Sequence, residues 1–320
     1  MSAAQKPCAI YHEHPTWFQP LFAELNKRHI DYVQLDASRH HYDVATTCYP
    51  YSLFVNRMSP SAYLRGNGNS LFYTLGLLEH YEKCGLRVIN GLTAFSYEIN
   101  KARQLALLAS LQLPHPKTHV INHPSLVLEA AKNLRFPIVI KANIGGSGAG
   151  IARYETRASL QQALEQGAIQ LGIDSTALVQ EYVPARNGRI TRVETLGGKY
   201  LYAIHVYTSG ESFNLCPADI CRTPDNALTP STCLLDAPKN SLVVEAYTPP
   251  ASVIKDVETI MQAAKIDVGG IEYMIDDRDG KLVYYDINAL SNFVANAPRV
   301  IGFDPHEKLV DFLVAEMTHK

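Results

Sequence analysis

Three groups of residues in this chain combine types and spacings that could do chemistry. The first is the run Lys141-Ala142-Asn143-Ile144-Gly145-Gly146-Ser147-Gly148-Ala149-Gly150. Four glycines in six positions let a backbone turn tightly and aim N–H groups at an anion, and Lys141 sets a positive charge beside them. The lysine precedes the glycines and a strand follows them, so the run is neither a Walker A loop nor a dinucleotide-binding fingerprint. It fits a hairpin flap that closes over phosphates. The alternative is a flexible β-turn beside a solvated lysine.

The second group is Gln180-Glu181-Tyr182-Val183-Pro184, where alternating helix and strand patterns give way to mainly strand. A strand leaving one lobe for another exposes a backbone edge, which can read a purine without dedicated side chains. A plain connecting strand with a surface Glu181 is the competing reading. The third is a pair of runs, Gly270-Ile271-Glu272-Tyr273-Met274-Ile275 and Lys281-Leu282-Val283-Tyr284-Tyr285-Asp286-Ile287-Asn288. Between them Asp277-Arg278-Asp279-Gly280 is a strong turn signal, so the runs predict a β-hairpin. A turn centred near Asp279 makes Glu272 and Asp286 cross-strand neighbours, with Asn288 on the same face as Asp286. Facing carboxylates repel unless a cation or a proton sits between them. Glu, Asp and Asn are hard oxygen ligands, the kind Mg²⁺ takes when phosphate completes its shell. An acidic rim on an exposed hairpin is the alternative; the apolar and aromatic second strand argues for the metal.

The elements that must hold these groups follow from periodicity. Up to about residue 95, short strands (Pro7–Tyr11, Tyr32–Leu35, Ser52–Arg57, Leu86–Asn90) alternate with helical patterns at Trp17–Leu25 and Leu71–Tyr81, which suggests a small parallel-sheet α/β domain. One helix is predicted over 96–111, with Ile99, Ala102, Leu105, Ala106 and Ala109 as its apolar stripe and Lys101 and Gln104 off it. Further helices are expected at 125–133, 156–171, 252–264 and 306–316, and strands at 137–141, 150–154, 177–183, 189–196 and 199–207.

Composition narrows the function. At 320 residues the chain is about two domains long, and 47% apolar residues supply a packed core. A net charge of −2 leaves no basic footprint for nucleic acid or a membrane surface. Six scattered cysteines with no metal spacing read as reduced thiols, and no signal peptide or membrane span is evident, so a soluble cytoplasmic protein is expected. His12 with His14 and His40 with His41 lack a third ligand and read as surface or capping histidines. Cys216 and Cys221 read as buried thiols.

In this order and spacing the three groups resemble the ATP-grasp fold, and within it the RimK-like branch of glutamate and carboxylate–amine ligases. The resemblance runs from about Asn56-Arg57 to the C-terminus. It implies an α/β and α+β architecture: a preceding parallel-sheet α/β domain over 1–95, an ATP-grasp small subdomain with its linking helix over 96–183, and a large subdomain over 184–320. Such enzymes use ATP to phosphorylate a carboxylate, which an amine then attacks to give an amide or peptide, ADP and phosphate. By position, Lys101 and Lys141 resemble the two lysines on the ATP phosphates. Gly145, Gly146, Ser147, Gly148 and Gly150 resemble the flap, and Gln180, Glu181, Tyr182 and Val183 the adenine hinge. Arg192 resembles the arginine that steadies the acyl phosphate, and Asn214 the asparagine of a Phe-Arg-x-Asn motif. Glu272, Asp286 and Asn288 resemble ligands for Mg²⁺ or Mn²⁺.

Departures from the pattern are specific. Glu272 and Asp286 exchange the usual Asp and Glu, which conserves their combined reach. Ile190 stands where an Asp contacts ribose, with Glu194 a candidate replacement, and the arginine before Asn214 is missing, with Arg222 a candidate substitute. The segment Ala289-Leu290-Ser291-Asn292-Phe293 replaces a Pro-Gly type stretch on the acceptor side. Arg57 is expected to face the cleft and clamp a substrate carboxylate near Ser291, or else to serve as a domain-interface arginine. The resemblance implies small-molecule or peptide carboxylate and amine substrates and a homo-oligomer. The competing functions are an ATP-grasp kinase acting on a small molecule, for which no general base is evident, and a nucleotide-binding regulatory protein with weak turnover.

Overall fold

The computed structural model describes residues 6–14, 16–145, 150–207 and 243–318. Within them the chain lays down three sheets in sequence order. The first is parallel: β1 (Cys8–His12), β2 (Tyr32–Asp36), β3 (Leu53–Arg57) and β4 (Val88–Ile89) in the order β2-β1-β3-β4. Every residue of β3 is buried, as a strand covered on both faces requires. On one face α1 (Gln19–Lys27) buries Leu21, Phe22 and Leu25; Leu71, Leu77 and Leu78 of α2 (Asn69–Lys83) belong to a second cluster with Phe54 and Tyr11. Strand order reverses between β1 and β3, and Arg57 ends β3 at that switch point, where parallel sheets open a crevice.

The single helix expected over 96–111 is two: α3 (Leu92–Glu98) and α4 (Lys101–Ser110). Asn100 leaves the helical region at φ −151° and its side chain accepts the Arg103 N–H, which starts a new helix with Lys101 as its first residue. The break also moves the buried face. Gln104, Leu105, Leu107 and Leu108 point inward, whereas Ala106 and Ala109 are exposed, so the stripe drawn through the alanines was out of phase.

The second sheet is antiparallel, from β5 (Thr118–Ile121), β6 (Ile138–Ala142), β7 (Ala152–Tyr154) and β8 (Ala177–Glu181) in the order β5-β8-β6-β7. α5 (Val127–Ala130) and α6 (Arg157–Glu165) cover its apolar face through Val127, Leu160 and Ala163. Both helices are shorter than expected. Pro124 opens a short 3-10 turn ahead of α5, and Gly167 at φ 67° follows the end of α6.

The third sheet takes β9 (Ala185–Leu196), β10 (Lys199–Tyr207), β11 (Val243–Tyr247), β12 (Val268–Asp276) and β13 (Leu282–Asn288), antiparallel throughout, in the order β11-β10-β9-β12-β13. α7 (Ala251–Ala264) packs Val253, Val257, Ile260, Met261 and Ala264 against one face. α8 (Ala297–Ile301) and α9 (Pro305–Thr318) join α1 over the other. The β12–β13 turn falls where the sequence predicts it, with Gly280 at φ 77° donating to the Asp276 carbonyl. The fold is therefore mixed, one parallel and two antiparallel sheets. No helix among the described residues is long and apolar enough to cross a membrane.

Candidate active site

The site grows from one face of the third sheet. Pairing of β9 with β12 sets Arg192 opposite Glu272, and pairing of β12 with β13 sets Glu272 opposite Asp286 and Gly270 opposite Asn288. That is the cross-strand register the turn implied. Arg192 is buried and fully engaged. Its Nε donates to Glu194 Oε1 at 2.5 Å, one Nη to Glu272 Oε1 at 2.9 Å, and the other to Ser291 Oγ at 2.9 Å. Burial opposes its charge, but Glu194 and Glu272 more than compensate and hold the guanidinium protonated. Burial raises the Glu272 carboxyl above its ordinary range; Arg192 pulls it down, and the facing Asp286 pushes it up again. Gly270 is required here: a Cβ at that position would meet Glu194 Oε2 at 2.9 Å.

Lys101 reaches this face from the start of α4 and pairs with Asp286. Burial acts to lower its pKa, and the Asp286 carboxylate, by charge and by hydrogen bond, raises it on balance. Three residues on, Gln104 donates to the Ile287 carbonyl at 2.8 Å and accepts the Ile287 N–H at 3.2 Å. β13 is the edge strand of its sheet, so Gln104 completes the edge as a neighbouring strand would. Sequence periodicity missed this residue, because a polar side chain on a buried face carries no apolar signal.

Lys141 approaches from the second sheet, near the end of β6. It is only 8% exposed, and among the described residues no acceptor or carboxylate bonds its ammonium. Burial and the neighbouring Lys101 charge bring its pKa down to about 7, against the attraction of Asp286 and Glu272. Holding a buried ammonium beside a second lysine is costly without a counter-charge. Asn143, two residues on, ties this strand end to α4: its carbonyl accepts the Lys101 N–H and its side chain accepts the Ala102 N–H at 2.9 Å. The same side chain donates to Asp174 at 2.6 Å.

The glycine run lies between β6 and β7, which pair antiparallel as a hairpin. Gly145 and Gly150 are described; Gly146, Ser147 and Gly148 lie outside the described residues, as do Asn214, Cys216, Cys221 and Arg222. The expected exposed edge at 180–183 is corrected in part. β8 is an interior strand, paired with both β5 and β6, because the sheet order places it between them. The Glu181 N–H donates to Lys117 and the Tyr182 N–H to Pro137, both at 3.0 Å. Gln180 is buried with its amide on Thr118, the Glu181 carboxylate accepts the Arg135 N–H, and the Arg153 guanidinium lies 4.4 Å from the Tyr182 ring centre. Only at Val183 does the chain leave the second sheet for β9 of the third.

Arg57 and Ser291 belong to a joint between the first and third sheets. Arg57 donates to the Ser291 carbonyl at 2.5 Å and lies over the Phe18 ring at 5.2 Å. Ser291 is wholly buried, its hydroxyl donating to Glu194. Glu194 is likewise enclosed, bound by Arg192 and Ser291, so its candidacy for a ribose contact is corrected: no face of its carboxylate is turned to a ligand. Glu98, another residue the sequence did not signal, accepts the Ala289 and Leu290 N–H groups just after β13. Burial raises its pKa to about 7. The paired histidines are structural: His12 bonds the His14 carbonyl, His14 stacks on Trp17, and His40 bonds Tyr73.

The donor set suits a divalent cation. Glu272 and Asp286 face each other, and the Asn288 amide Nδ2 is buried without a hydrogen-bond partner among the described residues. Amide oxygen and nitrogen are assigned from their partners, so an unpartnered position at this face is equally available to the oxygen, a hard ligand beside two carboxylates.

Lys101 and Lys141 thus lie near the facing carboxylates Glu272 and Asp286, where α4 and the end of β6 meet the third sheet. Residues 98–214 match the family model of the RimK-like ATP-grasp domain. A probable alpha-L-glutamate ligase of Saccharophagus degradans is 29% identical over 134 residues, 42% of this chain and 44% of that protein. The match thus spans less than half the length of such curated relatives. Among solved structures, the ATP-grasp ligase PsnB complexed with a precursor variant, Mg and ADP superposes with TM-score 0.69 at 18% identity, over 98% of this chain and 100% of that one. D-cycloserine synthetase DcsG gives 0.65 at 18%, over 97% and 100%. Residues 98–214 are thus similar to RimK-like ATP-grasp domains, and the fold of the whole chain is similar to that of ATP-grasp ligase structures.

Proposed function

We propose that the protein is an ATP-dependent carboxylate–amine ligase that forms an amide or peptide bond through an acyl phosphate. The observation that carries this reading is Lys141: a buried ammonium with no partner among the described residues, beside Lys101 and within electrostatic reach of Glu272 and Asp286. In this reading 1–95 is the preceding domain, 96–183 the small subdomain and 184–320 the large one, with the nucleotide in the cleft between the last two. Lys101 and Lys141 bind its phosphates, the glycine hairpin covers them, and the chain at Val183 meets the adenine.

Glu272, Asp286 and Asn288 would hold Mg²⁺, or Mn²⁺, which neutralises phosphate charge. Arg192, fixed by Glu194 and Ser291, presents a permanent positive charge where the acyl phosphate develops negative charge, and no protein nucleophile is needed. That one PsnB structure holds Mg and ADP, and another a precursor peptide with AMPPNP, supports a nucleotide–metal site of this type and admits a peptide among the substrate classes. We place the enzyme in the cytoplasm, on the free thiols of Cys8, Cys48 and Cys84.

The test is incubation with ATP, Mg²⁺ and pooled amino acids or short peptides, read by ADP release and mass spectrometry. Amine-dependent ADP release with a product equal to two substrates less water is expected. A stable phosphorylated product would show a kinase instead, and ATP binding with no turnover on any pool would show a regulator.

A further inference from the structure

We propose that Tyr285 is a positioning residue that orients Glu272 as a metal ligand through its phenol hydroxyl. The inference rests on the reading of Glu272, Asp286 and Asn288 as the cation site, and it concerns a residue that reading does not use.

Strict alternation along β13 would send Tyr285 and Asp286 to opposite faces of the sheet. They share one. The β12–β13 register pairs Glu272 with Asp286 but Tyr273 with Tyr284, so Tyr285 is an extra residue without a cross-strand partner. This is a β-bulge, a feature that re-aims a side chain. Its effect is visible in the packing: Tyr284 sits in the cluster beneath α7 with its hydroxyl on Asp256, and Ile287 joins the same cluster, whereas Tyr285 packs on the opposite side. From there its hydroxyl donates to Glu272 Oε2 at 2.7 Å.

Glu272 is therefore gripped from both neighbouring strands. Arg192 on β9 donates to Oε1 at 2.9 Å and Tyr285 on β13 to Oε2 at 2.7 Å. A glutamate has one more rotatable bond than an aspartate, so a ligand of this length needs its carboxylate plane fixed. Each carboxylate oxygen carries two acceptor sites, and one donor apiece leaves the others open for a cation. Partners of this kind behind a ligand commonly contribute 10–100-fold to metal affinity.

The experiment measures Mn²⁺ binding, by the electron paramagnetic resonance of free Mn²⁺, in the full-length protein with saturating ADP. Wild type is compared with Tyr285→Phe, which keeps the ring, and Tyr285→Leu, which loses it. ADP affinity without metal serves as the fold control. The expected result is a roughly 10–100-fold weaker Mn²⁺ affinity already complete in the Phe variant, with metal-free ADP affinity unchanged. A Phe variant that binds Mn²⁺ like wild type, with loss only in Leu, assigns Tyr285 to packing and overturns the proposal alone. Wild type that binds ADP but no Mn²⁺ overturns the metal reading and this proposal together.

Discussion

Lys141 is a buried ammonium with no carboxylate bonded to it among the described residues. With its pKa near 7, part of the protein population carries it neutral at pH 8. An arriving phosphate restores the charged form, so nucleotide binding should take up a proton there and less at pH 6. Calorimetry of ADP binding in buffers of different ionisation enthalpy measures this directly; a buffer-independent heat at pH 8 would contradict it. Linkage gives the stability counterpart. The folded pKa lies below the unfolded value of about 10.4, so the unfolded chain holds the proton more tightly and stability rises as pH climbs from about 7 toward 10. Lys141→Met should therefore stabilise the ligand-free protein most at pH 6, by urea midpoint, with the gain shrinking by pH 9. At this scale much was legible. Lys141, Glu272 and Asp286 announce themselves by charge beside glycine or within apolar strands, whereas Lys101 is singled out only by the family resemblance. Glu98 and Glu194 do not announce themselves, because their partners at Leu290 and Ser291 lie 192 and 97 residues away.

At the scale of elements, α4 and β13 form the working pair. Lys101 and Gln104 sit three apart on one side of α4, the first on Asp286 and the second on the Ile287 peptide. Gln104→Leu preserves volume but leaves two buried backbone groups and their strand edge unsatisfied. It should cost roughly 2–4 kcal/mol in urea unfolding. A loss below about 1 kcal/mol would mean that the edge is satisfied otherwise. The hairpin of β12 and β13 was readable because its turn chemistry is local. The bulge at Tyr285 was not, since one additional residue leaves hydrophobic alternation looking continuous. The break between α3 and α4 had a local signal, the capping Asn100, which the surrounding helix formers masked.

Across the whole molecule, the parallel sheet is locked to the third sheet through the segment after β13. Asn90, in the left-handed region at φ 53°, donates to the Val268 and Ala289 carbonyls and accepts the Asp267 and Val268 N–H groups. Glu98 holds the Ala289 and Leu290 amides, and Arg57 the Ser291 carbonyl. This joint fixes where the strand carrying Asp286 and Asn288 ends, so it couples the first sheet to the proposed cation site. Its pH signature has a definite sign. Burial raises Glu98 to about 7, so the stability it contributes is present below the ordinary carboxylate range and is lost as pH rises through 7. Glu98→Gln should flatten that decline between pH 5 and 8 in thermal unfolding, and an unchanged slope would remove Glu98 as its source. The succession of sheets was legible from periodicity alone, but the joint was not, because its bonds join residues nearly 200 positions apart.

In the proposed reaction a carboxylate is phosphorylated before an amine attacks. Hydroxylamine, supplied in place of the amine with ATP, Mg²⁺ and a pool of carboxylic acids, intercepts an acyl phosphate as a hydroxamate that colours with ferric ion. A hydroxamate that forms in step with ADP, requires both ATP and Mg²⁺, and disappears in Lys141→Ala is the expected result. ADP release from the same pool with no hydroxamate would contradict it.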